Sequence, residues 1–360
     1  MSRVTKIRLV ISLVLASLLL HQESAADSRV MPDPSYVSEL LSRQFYLENI
    51  TPELPTNSLS SLVESLKKRR LDSWATVIPD GIDRQRRATV RRRGFGLRVL
   101  RFDDKRYFLL PELNSPNETR KFRIFSVRKA PQDGNWHRAL VSNELIVEGG
   151  DVAFSEDSYL AMGARINENR IRIDDFSNPA LGGYFKSNIK EISEVTVIDL
   201  RFNSGGRVDL ASEFIYLFAG KKIPLGSIEK RGQVLPIGGL VPLTLKELSK
   251  LTAHMQDVTV LVSRYTASSA EWLARNLQIY GARIVGERTE GKCLIQREFP
   301  IGGGQHIRIA VGKLNVTSHI ENVYTYCDFG VIPDYSVEGL TLLTQSADWI
   351  SRIPSAGELE

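Results

Sequence analysis

Two kinds of apolar run alternate along the second half of this chain. Residues 171–173, 195–200, 258–262 and 282–285 are short, β-branched and apolar, and read as buried strands. Between them, residues 181–192, a stretch ending at Phe218 and residues 270–280 carry apolar positions at helical spacing. In the last of these, Leu273, Leu277 and Tyr280 share one side. Such alternation predicts an α/β fold with a mostly parallel sheet from about residue 166 onward. The first half is patterned differently. Residues 36–75 read as helical, with Leu59, Leu62 and Leu66 on one face behind Pro55 and Asn57. Residues 94–165 read as short strands at 97–100, 107–110 and 122–127, divided by turn signals at Asn114-Ser-Pro-Asn117 and Pro131-Gln-Asp-Gly134. Gly302-Gly-Gly304 reads as a hairpin turn, not a phosphate loop.

The N-terminus adds a compartment. Arg3, Lys6 and Arg8 precede an apolar run over residues 9–20 and then Ser24-Ala-Ala26, the pattern of a secretory signal peptide cut after Ala26. A run of about 12 residues is short for a bilayer span. The expected product is exported, periplasmic or extracellular, with no stable membrane insertion after cleavage. Removing residues 1–26 takes away three basic side chains and Glu23, lowering the formal net charge of +5 by two. That mild balance does not point to nucleic acid. The arginines at 84, 86, 87 and 91–93 read as a solvated connector. Two cysteines, Cys293 and Cys327, could form one disulfide in an oxidising compartment or stand as two buried thiols. No histidine cluster or C-x-x-C has ligand spacing, so neither a metal nor another cofactor is expected. Asn49-Ile-Thr51, Asn117-Glu-Thr119 and Asn315-Val-Thr317 fit the N-glycosylation pattern, which matters only in a eukaryotic secretory route.

Candidate chemistry lies in three segments. Thr266-Ala-Ser-Ser-Ala-Glu271 stands between the strand at 258–262 and the helix at 270–280, so Ser268 sits where a strand hands over to a helix. There a hydroxyl can project from the sheet beside unpaired helix N–H groups. A serine hydroxyl needs a base to become nucleophilic. Lysine can be that base when desolvation favours its neutral form, and Lys292 follows the strand at 282–287 after a short turn. Taken alone, these are an ordinary helix cap and an ordinary turn. The third segment, Asp199-Leu-Arg-Phe-Asn-Ser-Gly-Gly206, puts paired glycines at another strand-to-helix turn, where backbone N–H groups can approach a ligand oxygen.

Together the three segments, followed by Gly330-Val-Ile-Pro-Asp334, resemble the C-terminal processing peptidases, the tail-specific protease family of Ser/Lys-dyad serine peptidases. The likeness covers roughly residues 170–340. It implies Ser268 as nucleophile, Lys292 as general base and Gln296 as a polar residue that orients the lysine. It further implies oxyanion donors from Gly205 or Gly206 and from the N–H of Ser269. The implied fold is a crotonase-like catalytic core over residues 166–360, after a signal peptide (1–26), a helical N-terminal segment with a basic connector (27–93) and a β-rich insert (94–165). Many relatives hold a PDZ domain at that place. Here Gly94-Phe-Gly-Leu97 is the only echo of its carboxylate loop, so the insert is either a degenerate PDZ domain binding peptide termini near Gly96 and Leu97, or a plain β-rich appendage. If the two cysteines pair, they tie the Lys292 segment to the stretch before Gly330.

The chain also departs from that pattern. Ser268-Ser269-Ala270 replaces S-A-S, making Ser269 a competing nucleophile. The serine-to-lysine interval is one residue short near residues 281–283. Ile279 stands where some members carry an acid, and Glu290 and Cys293 flank the G-K pair unusually. A carboxylate at 290 would favour a charged lysine. Two functions follow from the sequence. One is an exported serine endopeptidase acting on extended or unstructured polypeptides, with cleavage near C-termini as one mode. The other is a catalytically inactive, peptidase-like peptide-binding scaffold. An acyl-CoA enzyme of related architecture is disfavoured by export and by the serine turn. Substrate identity and oligomeric state are not encoded in these motifs.

Overall fold

The computed structural model describes residues 34–47, 58–78, 91–102, 106–117, 124–148, 150, 152–238, 243–316, 326–327, 329–337, 339 and 342. Residues 1–26, read above as a signal peptide, the arginines at 84, 86 and 87, and Asn49 lie outside these residues. The chain divides into two compact units, one of residues 1–88, 229–233 and 294–313 and one of the remainder.

In the first unit, α1 (Pro34–Gln44) and α2 (Leu59–Lys68) stand where the sequence predicts one helical region. Ser58 caps α2 by accepting from the Ser61 N–H at 3.1 Å. The buried face of α2 is Leu62 and Leu66, as the spacing predicts. Arg70, at a φ of 55°, ends the helical stretch, and the chain passes into β1 (Thr76–Ile78). That strand pairs antiparallel with β15 (Gln305–Asn315), which also forms a hairpin with β14 (Leu294–Gly302) across the three-glycine turn. Asp72 is fully buried here, accepting from the Trp74 and Ala310 N–H groups.

The second unit opens with the β-rich segment. Two strands, β2 (Arg91–Gly94) and β6 (Asp157–Leu160), pair antiparallel. Between them β3 (Leu97–Arg101), β4 (Tyr107–Pro111) and β5 (Phe125–Val127) form an antiparallel meander with β3 at its edge. One face, with Leu109, Phe125 and Val127, packs with Phe95 and with Ala139 and Leu140 of α3 (Trp136–Val141). The alternate residues Leu100, Phe108 and Leu110 pack on Phe202, as a period of two requires. Asn117, one of the glycosylation candidates, is 3% exposed and donates its amide to the Phe95 carbonyl at 2.6 Å.

The α/β region follows. Its sheet runs in the order β16 (Tyr335–Ser336), β13 (Arg283–Gly286), β12 (Thr259–Val262), β9 (Val197–Asp199), β8 (Arg170–Ile173), β7 (Ala164–Asn167). Every neighbouring pair is parallel except β7 with β8. The single helix predicted over 181–192 is two, α4 (Leu181–Ser187) and α5 (Ile189–Ser193). Asn188 breaks it, because its side chain donates to the Tyr184 carbonyl at 2.7 Å in place of regular continuation. Beyond β9, α6 (Val208–Phe218) packs on α4, α5 and α8 (Ser269–Ile279) through Phe185, Phe214 and their neighbours. A hairpin of β10 (Pro224–Lys230) and β11 (Gln233–Gly238) and then α7 (Leu245–Gln256) complete this region.

Helix α8 ends in a Schellman motif. Gly281, at a φ of 109°, donates to the Gln278 carbonyl, and Ala282 donates to that of Leu277. Residue 283 already belongs to β13. Three residues, 280–282, thus carry the chain from α8 into β13.

Candidate active site

The strands β9, β12 and β13 are adjacent, parallel and level at their carboxyl ends, with Asp199 beside Leu261 and Val262 beside Gly286. All three motif segments leave from that edge, where ligand sites of α/β sheets form. Sheet order, not sequence proximity, brings residues 200–206, 263–269 and 287–292 together.

The first two loops are joined through Leu200 and Asn203. The Thr266 hydroxyl donates to the Leu200 carbonyl at 2.8 Å and accepts from the Ser263 N–H at 2.9 Å. Buried Asn203 accepts the Ala267 N–H at its carbonyl (3.0 Å) and the Gly205 N–H at its Oδ1 (2.8 Å). A Cβ on Gly205 would stand 2.7 Å from Ser268 Cβ, so the first glycine lies directly against the serine. Gly206 forms a parallel bridge with Phe176, in which the Gly205 carbonyl and the Arg207 N–H face Phe176. Alternation along an extended chain therefore turns the Gly206 N–H away from Phe176. Of the two glycine N–H groups named from sequence, that of Gly205 is committed to Asn203, and among the described residues that of Gly206 has no acceptor.

Ser268 adopts a φ of 58° and a ψ of −125°. For a residue with a side chain such a conformation costs about 1–3 kcal/mol and persists only when its surroundings enforce it. A strained strand-to-helix turn of this kind lifts a nucleophile clear of a sheet. Ser268 is half-buried, whereas Ser269 is fully buried with its Oγ unpartnered among the described residues. Only Ser268 is reachable from solvent. The N–H of Ser269 opens α8 with no acceptor among the described residues.

The third loop meets the second on Glu271. This carboxylate is buried in the first turn of α8, where it accepts the N–H groups of Ser268 and Lys292 at 2.8 Å each on one oxygen. The other oxygen accepts from the Gly291 N–H and the Thr289 hydroxyl. Burial pushes the carboxyl above its ordinary value, against the hydrogen bonds, which pull it down. Lys292 is half-buried, and the Glu290 side chain is exposed while its N–H donates to the Thr266 carbonyl at 3.1 Å. Sequence reasoning used Glu271 only as a landmark and gave Thr289 and Asn203 no role. The available signal was an acidic residue in the first helical turn, which alone reads as a solvated cap.

Gln296 lies in the first unit, where its amide donates to Asp72 Oδ1 at 3.2 Å and its buried Oε1 has no partner among the described residues. Cys293 and Cys327 are bonded as a disulfide with Cα atoms 5.0 Å apart. Gly96, at a φ of 58°, lies against Ser115, and its carbonyl accepts the Glu112 N–H at 2.7 Å. Leu97 opens the edge strand β3. Among the described residues no group of acidic, histidine or cysteine side chains could hold a metal, and no helix is long and apolar enough to cross a membrane.

The fold thus sets a strained serine, a glycine turn and a lysine loop on one sheet edge. Residues 170–337, just under half of the chain, match the model of peptidase family S41. Its relatives include a carboxyl-terminal-processing protease of Picosynechococcus, 31% identical over 170 residues that make up 46% of this chain and 37% of that protein. Another is the chloroplastic carboxyl-terminal-processing peptidase 1 of Arabidopsis thaliana, 30% identical over 35% of this chain and 24% of that protein. The match thus spans about a third or less of these relatives' length. Among solved structures, a photosystem II D1 C-terminal processing protease aligns with a TM-score of 0.48 and 16% identity, covering 85% of this chain and 92% of that one.

Proposed function

We propose that this protein is an exported serine endopeptidase that cleaves extended or unstructured polypeptides through an acyl-enzyme on Ser268, with Lys292 as general base. The observation that carries the reading is the shared carboxylate: Glu271 holds the backbone of both residues on one oxygen. Neutral Lys292 takes the Ser268 proton as Oγ attacks the scissile carbonyl. The oxyanion is received by the N–H groups of Gly206 and Ser269, and water later releases the acyl group. The core is read as crotonase-like and the β-rich segment as a peptide-binding module related to PDZ domains. In support of the module, β3 is the edge of its three-stranded sheet and can pair with an extended chain.

The test uses purified protein lacking residues 1–26 and an unfolded reporter polypeptide, with Ser268→Ala and Lys292→Ala alongside. Wild-type cleavage with both variants folded and inactive is the expected result, a loss of at least about 10³-fold. Equal inertness of all three from pH 6 to about 10, where lysine begins to deprotonate, would favour the scaffold. Competition by peptides with free but not amidated C-termini is expected if the module captures carboxylates.

A further inference from the structure

The loop that carries Lys292 is fastened on both sides. Upstream, the N–H groups of Gly291 and Lys292 are bound by Glu271. Downstream, the very next residue is Cys293, whose carbonyl accepts the Leu314 N–H at 2.8 Å and whose sulfur is bonded to Cys327. From Cys327 the chain returns to the same carboxylate. Gly330 donates to the Tyr326 carbonyl at 2.8 Å, Val331 donates to Thr289 Oγ1 at 2.7 Å, and that hydroxyl donates to Glu271. Lys292, Cys293, Cys327, Tyr326, Gly330, Val331, Thr289 and Glu271 therefore close a circuit, in which the disulfide is the one covalent cross-link. There is little slack in it. A Cβ on Gly330 would lie 2.2 Å from the Thr289 carbonyl oxygen, and the ring of Tyr326 is fully buried.

We infer that the Cys293–Cys327 disulfide is a positioning element for Lys292, and that a dithiol reductant of the thioredoxin type weakens catalysis by opening this circuit. The inference rests on the Ser268/Lys292 reading above. In the step, the reductant's two thiols become a disulfide, the protein S–S bond breaks, and two electrons with two protons produce the Cys293 and Cys327 thiols. Both cysteines are buried, so attack proceeds through local opening at Cys327, near which Phe329 is already 64% exposed. With the bond broken, the base segment loses its covalent anchor and is held by hydrogen bonds to Glu271 and Leu314, which then open more often. Small misplacement of a catalytic group lowers the chemical step far more than binding.

The experiment takes the full exported protein, oxidised and after treatment with dithiothreitol, together with the Cys293→Ser/Cys327→Ser double variant and Ser268→Ala. Free thiols are counted, and circular dichroism verifies the fold. Reduction is expected to lower kcat about 10- to 100-fold and to change KM by less than about twofold. It is also expected to move the ascending limb of the pH–rate profile, which follows deprotonation of the general base, and to be reversed by reoxidation. The double variant should match reduced wild type and ignore dithiothreitol. Hydrogen exchange gives a reading independent of turnover: the Gly291 and Lys292 amides should lose protection on reduction. Two free thiols with unchanged kcat, pH profile and amide protection would overturn the inference even if the double variant failed to fold. An oxidised protein that is inert, or as active as Ser268→Ala, but still loses Lys292 amide protection on reduction, would retain the tether and sink the Ser/Lys reading.

Discussion

Gly205 lacks a side chain because the space one would fill is already occupied by Ser268. Its φ of 99° is a second reason, since L side chains rarely adopt it. Gly205→Ala is expected to lower stability by about 1–3 kcal/mol and, by displacing Ser268, to reduce kcat about 100-fold. Chemical denaturation and single-turnover kinetics would check both; unchanged kcat would mean the serine does not depend on this contact. At this scale the sequence was informative about chemistry and silent about support. Ser268 and Lys292 could be picked out because their segments stand in the order of a known family's motifs, each being by itself an ordinary cap or turn. Choosing between Ser268 and Ser269 needed burial and a backbone angle. Glu271 was hidden because a glutamate in a first helical turn normally faces water, and only the fold turns four donors toward it. Gln296 was assigned to the lysine by the family resemblance, and its amide donates to Asp72.

At the scale of elements, β9 ends in Asp199, whose carboxylate is buried among arginines. Burial alone would raise its pKa, but Arg201, Arg170 and Arg172 hold it well below the ordinary carboxylate range. Arg201 makes two bonds of 2.9 Å to it, and its Nη1 also donates to the Leu342 carbonyl. Because the folded-state pKa is depressed, the stabilisation is fully present above the unfolded value near 3.8 and is lost as pH falls below it. Asp199→Asn should lower stability near neutrality by about 3–5 kcal/mol, as expected for breaking a buried pair. It should also flatten the acid limb of denaturant midpoints measured between about pH 5 and 2; an unchanged limb would assign the acid sensitivity to other carboxylates. The parallel strands were legible because β-branched runs of three to six residues alternate with helical spacing. The break at Asn188 was not, since a side chain competing for one carbonyl leaves no mark on apolar periodicity.

For the molecule as a whole, the α/β half announced itself through alternation and the β-rich half only through short strands and turns. Where the two meet, Phe202 packs on the meander and the Tyr265 hydroxyl donates to the Arg101 carbonyl at 2.6 Å, a contact no local pattern encodes. The buried amide of Asn117 has a consequence for how the whole chain can be produced. Its Nδ2 is the atom an oligosaccharide would occupy, and in the folded protein that atom is enclosed and bound to Phe95. Any sugar must therefore arrive on the nascent polypeptide, after which the meander can no longer close around residue 117. A yeast or insect secretory host is expected to retain such molecules in its quality-control machinery, and Thr119→Ala, which removes the acceptor pattern but keeps the amide, should restore secreted yield. The same substitution should leave yield from a bacterial host unchanged, so the choice of organism for expression is written into one hydrogen bond.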